Sequence, residues 1–438
     1  MPPPVAFDGT DNLGLPVSNR AFGIDTEDIS PAALTELTQS SGPDLAFSRF
    51  HKLTYLLTSP DMVAKVLIDH ADMFLKGEEE RALASTVGWG LLAQEGQPHK
   101  VMQKALNPGL RGQILDSYLE RVRTAFSQNL EHVGGHDSPL VAFSREVSQS
   151  AAETSIFGLP EPTRDFRYHE AVLVTNRLSM SEATPGRRDV KDFTARFTGA
   201  KKVLDQHIER LVDSWSMSGS GQACLMEYII PETENLPDSR RRTLDQAGMF
   251  MQAATETTAS LLSWMFLHLT HRDEVWQRLQ EEAQTQGDDP ITYDSLKALD
   301  YHQAVVSESL RLTPPVWMIP RVVAHDFTMG GVRLPQGARV ILSPWVTHRR
   351  ASDISDPEGF LPERWLGRSQ FQSKGSYFPF GIGHRICIGE AYGKMAAVAI
   401  LHSLAASGKK ITVTDPSLDI GVSHLLAIPR LDFRFFVE

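Results

Sequence analysis

Cys387 stands in the run FGIGHRICIG (residues 380–389) and is one of only two cysteines in the chain. A thiolate can ligate iron or zinc, attack a substrate, or pack as a small hydrophobe. Zinc would need further Cys or His ligands at close spacing; His384 lies three residues before, but no second pair stands nearby. A cysteine nucleophile needs a base, which the surrounding glycines do not supply. One thiolate in a tight glycine loop suits haem iron, because the porphyrin already provides four ligands. Glycines let the backbone run beneath a flat ring, and exposed amides can hydrogen-bond to the sulfur. A buried structural cysteine is the plain alternative; Phe380, Gly381, Gly383, Arg385 and Gly389 around it make that the weaker reading.

Two further groupings could do chemistry or hold it in place. Glu308 and Arg311 stand three apart, so they share one helical face. Such pairs are commonly solvated, but the flanks AVVSESLRLTPPV are apolar and imply burial, and a buried guanidinium needs a further partner. In FMQAATETT (250–258), Ala253 and Ala254 could let a ring or ligand approach the helix backbone. Glu256, Thr257 and Thr258 could pass protons inward. The alternative is an amphipathic helix with an exposed glutamate and threonines bonded to preceding carbonyls.

The elements that must position these groups are mostly helical. Residues 46–57 predict one or two strands, followed by a helix from Pro60. Helical periodicity then covers Pro98–Leu106, Gly112–Val133, Leu140–Phe157, Phe193–Trp215 and Arg240–His271, with SWSMSGSG (214–221) as a solvent loop. A helix over Gln303–Leu312 ends at Pro314-Pro315. Short strands follow, with Gly-Gly and Pro-Gln-Gly turns, then an irregular stretch over 350–386. An apolar helix runs from Glu390 to about Ala406, and strands close the chain. The fold class is mainly α with small antiparallel β-sheets in a single large domain, without the βαβ alternation of a nucleotide fold.

Composition narrows the function classes. Charged residues at 22% and hydrophobic ones at 41% describe a globular chain with a sizeable core. A net charge of −11 with no basic stripe argues against nucleic acid. Cys224 and Cys387 make no disulfide framework, which implies a reducing, cytoplasmic setting. No signal peptide is evident at the N-terminus, and the apolar stretches fall short of a membrane span.

The run 380–389 resembles the haem-binding signature of the cytochrome P-450 family, F-G-x-G-x-[HR]-x-C-x-G, at every specified position. Glu308 and Arg311 match the family's E-x-x-R helix, and Arg364 in FLPERW matches its later arginine. Ala253, Glu256, Thr257 and Thr258 match the oxygen-binding helix motif [AG]-G-x-[DE]-T-[TS]; Ala254 replaces the usual glycine and would narrow the groove there. His99, in EGQPHKVMQKALNPGL (95–110), falls at a propionate-contacting position, with Gln103 where an arginine commonly stands and Lys104 beside it. Arg321 in IPRVV matches another propionate arginine. The resemblance runs from about residue 45, so 1–44 reads as an N-terminal extension and 45–438 as a haem-thiolate domain of bacterial type.

This resemblance implies haem b with Cys387 as its axial ligand. It places Arg385, His99 and Arg321 at the propionates, Phe380 on the sulfur side, and Gly381 and Ala253 near the ring. Glu308, Arg311 and Arg364 would brace the core, Thr257 would hydrogen-bond dioxygen, and Glu256 would feed a proton relay. The reaction implied is monooxygenation of a small molecule with O2. Electrons would come from NAD(P)H through a separate ferredoxin or flavodoxin and its reductase, docking on Lys100, Lys104, Arg111 and Lys394 of a monomer. Trp89, Met180, Phe250, Ala254, Trp317, Met318 and Leu425 are the expected pocket residues, suited to a largely apolar substrate. The alternatives are a P-450-type oxidase, peroxygenase or reductase and, outside enzymes, a haem-binding sensor or carrier.

Overall fold

A computed structural model describes residues 30–438, apart from 50–51, 134–136, 183–189, 219–222, 287–289, 351–353, 368–370, 372, 415, 418–419 and 424. Helix α1 (Pro31–Ser41) starts at Ser30, whose hydroxyl oxygen accepts from the Ala33 amide at 3.1 Å, with proline at the first helical position. It lies inside the stretch read as an extension. Its Leu34 and Leu37 are buried in one cluster with Phe47, Trp317 and Trp345.

Strands β1 (Asp44–Arg49) and β2 (Lys52–Leu57) form a hairpin. Next come α2 (Pro60–Ala64), which passes into a π-helical turn over Lys65–Asp69, and β3 (Phe74–Lys76). Short helices α3 (Glu78–Ala82) and α4 (Ala84–Val87) lead to α5 (Gly96–Leu106). The helical body holds α6 (Ile114–Val133), strand β4 (Ser138–Pro139), α7 (Leu140–Phe157), α8 (Phe166–Glu182), α9 (Val190–Ser218) and α10 (Met226–Thr233). It continues through α11 (Ser239–Leu269), α12 (Asp273–Gln284), α13 (Tyr293–Lys297) and α14 (Asp300–Leu312). Strands β5 (Ile319–Val323), β6 (Phe327–Met329), β7 (Val332–Leu334) and β8 (Arg339–Leu342) precede α15 (Pro344–Thr347). After α16 (Glu390–Ala406) the chain closes with β9 (Ile411–Thr414), β10 (Ile420–Ser423), β11 (Leu426–Pro429) and β12 (Arg434–Val437).

The core is one large helical cluster. Helix α7 is buried along almost its whole length and packs against α6 and α11. A helix buried on every side can only be central. At 31 residues α11 is a rod of about 46 Å at 1.5 Å per residue, long enough to cross the core and carry a cavity wall midway. The main sheet has the order β1-β2-β8-β5-β3, and its β2–β8 pair is parallel, since nearly the whole helical body separates those strands in sequence.

Residues 214–218, expected in a solvent loop, form the last turn of α9, because Trp215 packs against the helical core. The predicted helix 240–271 stops at Leu269: His271 takes a left-handed conformation (φ 61°), and α12 starts two residues later. No glycine or proline marks that break, so composition hides it.

Candidate active site

The loop 378–389 is shaped by its glycines. Gly381 and Gly383 hold φ values of +73° and +78°, a region closed to most side chains. A β-carbon on Gly383 would collide with the Leu67 carbonyl in the π-helical turn, whereas one on Gly389 would meet Cys387 Sγ at an ordinary 3.8 Å. The Cys387 amide donates to Phe380 O at 2.9 Å, closing the loop. The sulfur ends up just before α16, whose N-cap is Gly389. Burial pushes the Cys387 thiol up, and the Gly389 amide, donating to the sulfur, opposes that shift.

Cys387 is accessible, yet protein surrounds it on every side. Its accessible face opens into a cavity of about 410 Å³ rather than onto the outer surface. Phe380, Gly381, Arg385, Ile386 and Gly389 form the sulfur side, and α11 contributes Met249, Phe250, Ala253, Ala254, Glu256, Thr257 and Thr258. The Thr257 hydroxyl donates to Ala253 O at 2.7 Å, the back-bonding open to any mid-helix threonine. Glu256 is buried, with Oε2 at 3.2 Å from Arg145 Nη2 on α7.

One end of the cavity is cationic. His99, Arg321, Arg385 and Lys76 all line it. Lys76 and Arg321 are register partners on β3 and β5, an arrangement in which like charges repel. Glu80 relieves part of this, bonding Arg321 Nη1 at 2.8 and 3.0 Å. Burial lowers Lys76 to about 8 and His99 to about 4, in the latter with help from Lys76 and Arg385. Arg385 Nη1 is buried with no hydrogen-bond partner among the described residues.

Away from the cavity, Glu308 and Arg311 on α14 meet Arg364. Arg311 Nε and Nη2 donate to Glu308 at 2.8 and 2.9 Å, and Arg364 Nε donates to it at 2.9 Å. The carboxylate also accepts from the Leu361 amide and the Trp365 indole, each at 2.9 Å. Arg311 spends its other donors on Pro357 O and Gly359 O, and Arg364 on Ser355 O and Asp356 O.

A family model described as Cytochrome P-450 matches residues 175–405. The chain belongs to the cytochrome P-450 family. It is 28% identical to a cyclooctat-9-en-7-ol 5-monooxygenase of Streptomyces melanosporofaciens, over 80% of this chain and 79% of that one. It is 34% identical to a pentalenene oxygenase of Streptomyces avermitilis over 40% and 39%. A taxane 10-beta-hydroxylase of Taxus cuspidata is 25% identical over 87% and 80%. Among solved structures, retinoic acid-bound cyanobacterial CYP120A1 shares the fold, with a TM-score of 0.80 at 21% identity over 93% and 94% of the two chains. This cytochrome P-450 is therefore a haem-thiolate monooxygenase that binds haem b through an axial cysteine thiolate.

The residues present fit that group. A sulfur faces the cavity, glycines clear the backbone beneath it, and at one end an orphaned buried guanidinium sits among further cations, where carboxylates would be neutralised. When bound, haem supplies an iron that activates dioxygen for insertion of one oxygen atom into the substrate.

The P-450 pocket differs from expectation in several places. Phe250, Ala254 and Leu425 line it. Trp89 does not: it is 71% exposed, because Asp245 accepts its backbone N–H and Gly88, at φ +79°, turns the ring outward. Trp317 and Met318 also lie off the cavity, in the cluster beneath α1, while Val316 and Ile319 line it. Met180 lies on α8, and its side chain is outside the described residues. Arg321, expected at a propionate, does line the cavity and there pairs with Glu80.

Sequence reasoning missed Lys76, Glu80 and Arg145. The buried-exposed-buried pattern of the strand FLK, which encloses Lys76, appears only once β3 pairs with β5. Gln103, where an arginine was expected, donates to Ile386 O at 3.2 Å and so ties α5 to the residue before Cys387.

Proposed function

We propose that this P-450 oxygenates a cyclic, terpenoid-type hydrocarbon or a sparingly hydroxylated derivative of one. The observation that carries this is the apolar lining of the cavity: Leu83, Val87, Leu91, Leu92, Ile156, Met249, Phe250 and Leu261 offer a surface with few directing polar groups. Relatives named for cyclooctatin, pentalenene and taxane oxidation support the same class.

In this reading Cys387 ligates the iron, and Arg385, His99 and Lys76 bind the propionates. Thr257 and Glu256 manage protons on the oxygen side. Glu308, Arg311 and Arg364 are structural. Exposed Lys104 and Arg111, with Lys100 and Lys394, form the docking face for an acidic ferredoxin or flavodoxin. The Gln103–Ile386 hydrogen bond, which joins α5 to the cysteine loop, supports this reading. The protein works as a monomer in the cytoplasm, where two free cysteines are at home. No helix among the described residues is long and apolar enough to cross a membrane.

The test is a spin-state titration of the holoenzyme with cyclic sesquiterpene and diterpene hydrocarbons beside polar aromatic acids of equal size. The hydrocarbons should drive the high-spin shift at micromolar concentration. Shifts by the acids alone would overturn the substrate class.

A further inference from the structure

Behind Glu256 a seam of buried polar groups runs between α7, α8 and α9. Arg145, Ser148, Gln149 and Glu153 recur at the spacing of one face of α7. At the inner end stands the 3.2 Å Arg145–Glu256 contact. At the outer end Glu153, fully buried, accepts from Gln149 Nε2 and the Thr163 amide, each at 2.6 Å, and meets His207 Nε2 at 3.0 Å. His207 Nδ1 lies 3.9 Å from Asp165 Oδ2, which pairs at 2.7 Å with the exposed Arg210. On α8, His169 feels the charges of Arg145, Glu153 and His207, and burial keeps its ring neutral.

The seam is not built as a brace. Glu256 Oε1, Ser148 Oγ, His169 Nδ1 and His207 Nδ1 are buried with no hydrogen-bond partner among the described residues. In the Glu308 cluster, by contrast, both carboxylate oxygens are taken. Buried donors and acceptors left open can take water between them and relay protons. The reaction needs such a supply: RH + O2 + 2 e⁻ + 2 H⁺ gives ROH + H2O, the electrons coming from NAD(P)H. A carboxyl that releases a proton must recover one.

We infer that the seam from Asp165 through His207, Glu153, His169 and Ser148 carries protons from solvent to Glu256, with Arg145 as the positioning residue that aims its carboxylate. The inference rests on the proton role proposed for Glu256.

The experiment uses the holoenzyme with saturating plant-type ferredoxin and its reductase and no added substrate. It reads NADPH-driven four-electron reduction of oxygen to water, and hydrogen peroxide release, in light and heavy water. Ser148→Ala removes a hydroxyl with no partner among the described residues, so haem content and melting temperature should stay at wild-type values. Water formation should fall about tenfold in Ser148→Ala and in Glu153→Gln, with a larger solvent isotope effect and more peroxide. Glu256→Gln is the reference. If it alters rate and isotope effect while both seam variants match wild type, the route is wrong. If it too matches wild type, the proton role of Glu256 falls and the route with it. A loss confined to Glu153→Gln and accompanied by lower melting temperature marks a structural seam and overturns the proposal.

Discussion

Two charged regions of this P-450 have opposite character. In the Glu308–Arg311–Arg364 cluster each carboxylate oxygen and guanidinium arm has a partner, and Glu308 and Arg311 are wholly inaccessible. At the cationic end of the cavity, Lys76 faces Arg321 across two strands, and Arg385 keeps an arm unpaired. Charge that is complete within the protein stabilises the fold, whereas charge left incomplete awaits a ligand. The difference is visible only atom by atom, since both regions hold arginines beside glutamates.

Substitutions should separate the two regions, although the largest effect falls in neither but at the cysteine. Cys387→Ala should abolish the strongly red-shifted Soret band of the carbon monoxide-bound, dithionite-reduced protein, with activity falling below detection. A surviving band would place the ligand elsewhere. Arg311→Ala breaks a buried ion pair, leaving Glu308 only part of its partners, and should cost about 3–5 kcal/mol. Thermal melting and soluble yield would both report it. Arg385→Ala should leave the fold intact while haem is lost to apomyoglobin roughly tenfold faster, the change expected for one charge-assisted bond of about 1.5 kcal/mol. Equal melting losses in these two variants would erase the distinction between the regions. Thr257→Ala should keep the carbon monoxide spectrum and shift reducing equivalents toward peroxide. Trp89→Ala should leave hydrocarbon-induced spin shifts within about twofold, as expected for a surface side chain, whereas Leu91→Ala should weaken them.

What the sequence disclosed depended on how locally each feature is encoded. The cysteine loop, the Glu308–Arg311 pair and the 250–258 segment are contiguous, so spacing alone exposes them. Helices α7 and α16 were legible to the residue because apolar periodicity and their ends coincide. Lys76 and Arg145 were not, since each is a lone cation whose partner comes from a distant element through strand register or helix packing. Trp89 and Trp317 misled for a related reason. Aromatic residues in apolar runs look like pocket lining, but Gly88 reverses the chain at one, and at the other Val316 and Ile319 rather than Trp317 face the cavity.

The unequal surroundings of two glycines in the cysteine loop carry a consequence for how the enzyme can diverge. Position 383 is walled in by a carbonyl from another segment, and its dihedral angle excludes almost every alternative. Position 389, at φ −87° with ordinary room for a methyl group beside the sulfur, is open to alanine. Under mutational drift the first should stay frozen, while the second could be sampled, retuning the electron richness of the metal without unmaking its cradle.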